Sequence, residues 1–143
     1  MRRVPGAIAG LAAALTLTAC SLTQPSSPST PKVDLTGGTW QVRNINGAAV
    51  GDEAKSTLQF GNDGRVSGRG GCNGYSGTVE ISGASMIIGQ LISTKMACAP
   101  PAMNQETDFL AALQATRSYR MDGMTLVLSD ATGKSRLSLV RSP

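Results

Sequence analysis

Between residues 34 and 141 the apolar side chains return mostly at every second position, the mark of strands with one buried face. Trp40 and Val42 flank Gln41, and Ile45 resumes the pattern after an irregularity near Asn44. Leu58 and Phe60 lie two apart, Gly61-Asn62-Asp63-Gly64 supplies turn chemistry, and Val66 opens the return, so a β-hairpin is predicted. Tyr75, Val79 and Ile81 share one parity, with Gly77 between them. Ser82-Gly83 then turns the chain into Met86-Ile87-Ile88, a short run predicted to be buried on one or both faces. In the last third the same period holds for Tyr119 and Met121, for Met124, Leu126 and Leu128, and for Leu137 and Leu139. Asp122-Gly123 and residues 130–134 supply the turns between them.

One stretch breaks this rhythm. After Pro100-Pro101, residues 102–116 lack a β-branched cluster and carry good helix formers. Met103, Thr107, Leu110 and Leu113, or alternatively Phe109, Leu110 and Leu113, mark one face at helical spacing. Glu106 and Asp108 lie early and Arg117 lies at the end, the arrangement a helix dipole favours. A helix over 103–115, packed against the sheet, is predicted. About eight short strands, this helix and the 17 glycines predict a mainly β (α+β) domain over residues 34–143. Its expected form is a small antiparallel β-barrel or strongly curved sheet with the helix plugging or flanking it.

The first 33 residues follow another logic. Met1-Arg2-Arg3 is cationic, residues 4–19 are apolar, and Leu17-Thr18-Ala19-Cys20 closes the segment. The apolar run of about 16 residues is shorter than the roughly 20 that cross a bilayer as a helix. Its ending resembles the bacterial lipobox. Residues 1–19 are therefore expected to be a lipoprotein signal peptide, with Cys20 lipidated after cleavage and the chain held on the membrane by its acyl groups. Residues 20–33, rich in serine and proline, are expected to be a disordered tether. Ser21 stands where an aspartate would retain a lipoprotein at the inner membrane, so the periplasmic face of the outer membrane is expected where the cell has one.

Composition narrows the chemistry. Of 13 Lys and Arg against 9 Asp and Glu, Arg2 and Arg3 leave with the signal peptide, and 11 minus 9 gives +2. The charges are interspersed, without the basic stripe that nucleic acid requires. The absence of histidine excludes Ser-His-Asp and Cys-His catalysis and every imidazole-dependent metal site. With Cys20 assigned to lipid, Cys72 and Cys98 remain, and export would place them where disulfides persist. A structural bridge is expected rather than free thiols or a redox pair, because their spacing is unlike Cys-x-x-Cys. Closing that loop is worth roughly 3.5 kcal/mol by the chain-entropy argument. The adjacent carboxylates Asp52-Glu53 are expected in a solvated loop. Gly133-Lys134-Ser135 ends like a phosphate-binding loop, but Leu128 stands where its first glycine belongs. Five aromatic residues are too few and too regularly placed for a base-stacking surface. No catalytic residue, cofactor or metal is expected. The bridge would gather Arg69, Asn73 and Lys95, which are candidate contacts for a ligand or partner unless they merely complete the loop.

The order of motifs carries a resemblance. Trp40, Leu58-Gln59-Phe60 and Asp63-Gly64-Arg65-Val66-Ser67-Gly68 are followed by Gly71-Cys72-Asn73-Gly74-Tyr75-Ser76-Gly77. Thr94-Lys95-Met96-Ala97-Cys98, Glu106 with Phe109-Leu110, Leu113 and Leu126-Val127-Leu128 complete it. Across residues 35–141 this resembles the META domain family of HslJ-like envelope proteins. The resemblance implies a lipocalin-like or barrel fold with one helix, secretion or membrane anchoring, and links to stress, drug resistance or motility. It supplies no catalytic residues. The resulting expectation is a monomeric, non-enzymatic envelope lipoprotein acting through binding. Two alternatives are a carrier or sensor of a small apolar ligand, with an open interior lined by Met86, Ile88 and Leu126, and an inhibitor or accessory subunit docked on another envelope protein.

Overall fold

A computed structural model describes Gly6 and residues 33–51 and 54–143. The expected signal peptide apart from Gly6, Cys20, the tether up to residue 32 and the Asp52-Glu53 pair lie outside the described residues. The chain forms β1 (Thr39–Ile45), β2 (Ala48–Ala49), β3 (Thr57–Phe60), β4 (Arg65–Arg69), β5 (Gly74–Ser82), β6 (Ser85–Ile88) and β7 (Ile92–Ser93). It continues as α1 (Pro100–Ala115), β8 (Ser118–Asp122), β9 (Thr125–Ser129) and β10 (Ser135–Arg141). Among the described residues there are ten strands rather than about eight. The two additions, β2 and β7, are two residues long, too short for any alternation to register in the sequence.

Neighbouring strands pair antiparallel in the order β10-β9-β8-β6-β5-β4-β3-β1. The ring closes because β1 also pairs with β10, Trp40 opposite Arg141 and Ile45 opposite Leu137. Its narrowest seam joins β6 to β8 through the single pair Ser85 and Ser118. Two backbone bonds flank that pair: Met86 N–H donates to the Arg117 carbonyl at 3.1 Å, and Tyr119 N–H to that of Ala84 at 2.9 Å. The irregularity at Asn44 is a register shift in β1, where the closing strand bends.

Alternation produces a filled interior. Leu58, Met86, Phe109, Leu126, Leu128 and Leu139 are wholly buried in one cluster. Met86, Ile88 and Leu126 are members of this packed core and line none of the surface clefts, so they do not frame an open ligand chamber. The run Met86-Ile87-Ile88 is buried on one face, with Ile87 turned to solvent.

The hairpin connections sort into two ends. One end carries the β1–β2 turn, the β4–β5 turn and the β9–β10 turn, and α1 covers it. Phe109 of α1 enters this end and meets Tyr75 edge to face, with centroids 5.6 Å apart. The β3–β4, β5–β6 and β8–β9 turns lie at the other end. Residues 33–36 reach the barrel there too, through a bridge between Thr36 and Phe60.

The helix begins three residues before the predicted start. Pro100 and Pro101 occupy its first turn, where a missing N–H removes no intrahelical bond. This corrects the dipole argument: there is no acidic residue in the first turn and no basic residue in the last. Glu106 instead falls on the inward face beside Phe109 and Leu113, while Thr107 is exposed. Arg117 acts from beyond the helix, donating to the Gln114 and Thr116 carbonyls at 2.8 and 2.6 Å.

Candidate functional site

The glycine-rich cysteine segment is the β4–β5 turn, laid directly on α1. A Cβ at Gly71 would stand 2.8 Å from the Ala102 carbonyl oxygen, and one at Gly70 would stand 2.6 Å from Glu106 Cγ. Only glycine permits this approach. Cys72 is bonded to Cys98 across a Cα separation of 6.1 Å, so the expected bridge ties the turn to the segment leading into the helix.

Beside the bridge, Glu106 replaces backbone pairing that the tight turn cannot make. Its Oε2 accepts the N–H groups of Cys72 at 3.0 Å and Asn73 at 2.5 Å. Its Oε1 accepts Asn73 Nδ2 at 2.8 Å. Asn73 passes the connection onward, because its Oδ1 accepts Thr94 Oγ1 at 2.9 Å and Met96 N–H at 2.7 Å. Burial alone would raise the Glu106 pKa. The donations from Asn73 and Cys72, with the Lys95 charge nearby, outweigh it and hold the carboxyl below its ordinary value. Around this clasp, Ser56 Oγ donates to the Gly70 carbonyl, and Gln105 Nε2 donates to Ser56 Oγ at 3.0 Å and to the Ala54 carbonyl.

The three candidate contact residues fare differently. Asn73 is 2% exposed, with its amide engaged on both sides. Arg69 is at the surface and donates to the Cys72 carbonyl at 3.1 Å. Lys95 is also exposed, on the segment between Thr94 and Met96. Among the described residues no buried side-chain nitrogen or oxygen lacks a partner. No three His, Cys, Asp or Glu residues among them form a metal-binding group. The corner's chemistry is that of a clasp joining turn, helix and the 94–98 segment. Glu106 was the residue that sequence reasoning misplaced. The available signal was its spacing of three and seven from Phe109 and Leu113, because a carboxylate on an apolar stripe must find partners when buried.

The Gly133-Lys134-Ser135 motif has a structural task. Asp130 Oδ1 accepts the N–H groups of Thr132 and Lys134 and the Thr132 hydroxyl, while Arg136 Nε donates to Oδ2 at 2.7 Å. Bonds from Thr132 and then Arg136 hold the Asp130 carboxyl far below its ordinary value. The motif is a hairpin turn between β9 and β10.

A second region lies at the end away from the helix. A cleft of about 630 Å³ opens between residues 33–36 and the strand ends, with walls of Val33, Leu35, Phe60, Val79, Ile81 and Tyr119. Gly61, Gly64 and Gly83 contribute to its lining without side chains. Among the described residues no helix is long and apolar enough to cross a membrane.

Comparison with known proteins agrees with this architecture. None of the curated proteins matches the chain. One similar solved structure, determined by NMR, is 24% identical, has a TM-score of 0.60, and aligns over 74% of this chain and 90% of its own. An NMR structure from Burkholderia xenovorans is 25% identical, with a TM-score of 0.58, covering 83% of this chain and 99% of the other. A DUF4847-family protein from Bacteroides vulgatus ATCC 8482, in a crystal structure at 1.00 Å, is 18% identical. Its TM-score is 0.56, with 74% of this chain and 93% of the other covered. The META domain profile matches residues 33–143, which take in every strand and the helix, and the chain belongs to the META domain family.

Proposed function

We propose that this chain is an exported lipoprotein, cut after Ala19, acylated on Cys20 and held at the cell envelope. In a cell with an outer membrane it sits on the periplasmic face of that membrane. Its META domain acts by binding, without catalysis, and contributes to envelope integrity or to tolerance of stress and drugs. The observation that carries the proposal is the Cys72–Cys98 bridge built into the covered end of the barrel, because such a bond persists in an oxidising compartment. Leu17-Thr18-Ala19-Cys20 supplies the matching address. The structural engagement of Glu106 and Asn73 supports a scaffold role for the residues that otherwise resemble a reactive centre.

Fractionation of cells producing the wild type or Cys20→Ser tests the anchor. The wild type is expected with membranes and the variant in the soluble fraction; a membrane-bound variant overturns the anchoring. A strain lacking the protein is expected to be sensitised to envelope-directed drugs, with rescue by the wild type and not by Cys20→Ser. Unchanged sensitivity would sink the envelope role. A second function, as carrier or sensor of a small apolar ligand, is favoured by the cleft away from the helix, since the interior core is filled.

A further inference from the structure

We infer that this cleft is an acyl-chain site, which takes one hydrocarbon chain of a phospholipid from the bilayer facing it. The orientation toward the bilayer rests on the anchoring proposed above; the chemistry of the cleft rests on the fold alone.

Its walls are aliphatic or aromatic: Val33, Leu35, Phe60, Val79, Ile81 and Tyr119. The volume of about 630 Å³ falls within the range of sites that enclose small ligands. The polar side chains of the lining are partly committed: the Thr36 hydroxyl and one carboxylate oxygen of Asp34 bond each other. Asp34 Oδ1 accepts the Thr36 N–H at 2.9 Å and the Thr36 hydroxyl at 2.6 Å, so the carboxylate caps its own loop. Gly64 and Gly83, at φ +73° and +58°, turn the strands back without placing side chains over the opening. A ligand rich in hydrogen-bonding groups would find few free partners along these walls. A hydrocarbon chain needs none.

The surroundings select the bilayer as the source. The inward row of β5, Tyr75 to Val79, continues to Ile81, which is 44% exposed because the barrel ends beneath it. At the same end the β8–β9 hairpin presents Met124, 86% exposed, at its tip. Val33, a wall of the cleft, continues directly into the segment leading back to Cys20. Thirteen residues of chain reach at most about 45 Å, so the end at which this segment attaches lies within reach of the membrane. That segment, Ser-Leu-Thr-Gln-Pro-Ser-Ser-Pro-Ser-Thr-Pro-Lys after Cys20, has Leu22 as its sole large aliphatic residue and does not match an apolar slot of this size.

The test uses the full mature chain carrying Cys20→Ser, which has no lipid of its own, titrated with the fluorescent fatty acid cis-parinaric acid. Saturable one-site binding is expected, displaced by palmitate and by phosphatidylglycerol. Ile81→Glu and Val33→Glu are each expected to weaken binding by about tenfold or more, since each sets a charge against hydrocarbon. Ile87→Glu, on the outer face of β6, is expected to change it by less than about twofold. Val33 precedes the barrel strands, so its variant retains the test if Ile81→Glu disturbs folding. Absence of saturable binding, or equal loss in all three variants, overturns the proposal. The acylated wild type is expected to bind the probe as well; failure to do so would mean that the lipid on Cys20 fills the cleft, which also overturns it. A photocrosslinker at position 81 in intact cells is expected to capture phospholipid, and a protein adduct in its place counts against the site. Fractionation of Cys20→Ser judges the anchor separately, so either proposal can fail without the other.

Discussion

Replacing Glu106 by glutamine keeps the shape of the clasp and removes its charge. The native carboxylate receives three donors: the Cys72 and Asn73 N–H groups on Oε2 and Asn73 Nδ2 on Oε1. Glutamine offers one oxygen and one NH2. If the oxygen faces the two backbone donors, the NH2 abuts Asn73 Nδ2. Asn73 cannot turn its amide to relieve this without losing the bonds from Thr94 Oγ1 and Met96 N–H. One charge-assisted bond is lost and one of the two Asn73 Nδ2 N–H groups loses its acceptor, the other keeping the Met96 carbonyl at 3.4 Å, at about 1.5–3 and 1–3 kcal/mol respectively. A loss of about 3 kcal/mol is therefore expected, or about 12 °C in Tm for a domain of this size. Urea denaturation of the oxidised protein at pH 7 measures it, with the exposed Asp108→Asn as a control expected to stay within about 0.5 kcal/mol.

Acidification supplies a second readout. The folded pKa of Glu106 is depressed, so its stabilising contribution is complete above the unfolded value of 4.5 and is lost as pH falls through the folded value. Below that point the wild-type group is a neutral acid, and its advantage over glutamine shrinks. Asp34 and Asp130 are also depressed and weaken both proteins together on acidification, so the difference between the two proteins isolates Glu106. A loss below about 1 kcal/mol at pH 7 would refute the clasp, and so would a difference that persists undiminished in acid.

Three further substitutions and one control probe the same architecture. Cys98→Ser, at an exposed position, is expected to lower unfolding free energy by about 3.5 kcal/mol, with a urea midpoint matching that of the reduced wild type; equal midpoints for the variant and the oxidised wild type would count against the bridge. Gly71→Ala forces a methyl to 2.8 Å from the Ala102 carbonyl and is expected to cost about 1–3 kcal/mol by thermal melt. Gly51→Ala meets nothing within 4 Å and is expected to stay within about 0.5 kcal/mol. Trp40→Phe removes the 3.0 Å bond from Nε1 to the Leu35 carbonyl and part of the Arg141 stacking at 4.7 Å. About 2 kcal/mol is expected from circular-dichroism melts, and an unchanged melt would remove the anchor assigned to residues 33–36.

The parts of this fold that were legible in sequence are those written by a local period. Trp40-Val42, Leu58-Phe60 and Leu126-Leu128 each alternate over enough residues to fix which side chains face inward, and Gly61-Asn62-Asp63-Gly64 marks its own turn. A closed barrel and a strongly curved sheet were both expected forms, and the sequence could not choose between them, because the pairing of β1 with β10 joins residues about a hundred positions apart and leaves no mark in either strand. Glu106 was misplaced for a related reason. Charge near a helix start normally indicates exposure, and its inward position depends on a helix that begins at the prolines and on a turn 34 residues upstream. Ile81 continues an inward row correctly, yet parity cannot say where the barrel ends. That endpoint makes the side chain part of a cleft wall instead of core.

These two kinds of position separate stability from binding along the barrel axis. At the helix-covered end the glycines, the bridge, Glu106 and Asn73 complete one another internally. Altering any of them exposes a donor, opens a loop or displaces the helix, so the main response is lower stability. At the other end Ile81 is already partly solvated, and little buried area supports it. A charge there alters what the cleft accepts while the sheet beneath keeps its backbone pairs. Variants such as Glu106→Gln should therefore shift the denaturation midpoint in proportion to their lost bonds, with acyl affinity unchanged among molecules still folded. Ile81→Glu should show the reverse. Parallel changes of affinity and stability in both variants would contradict this division, because the two ends would then be answering as one unit.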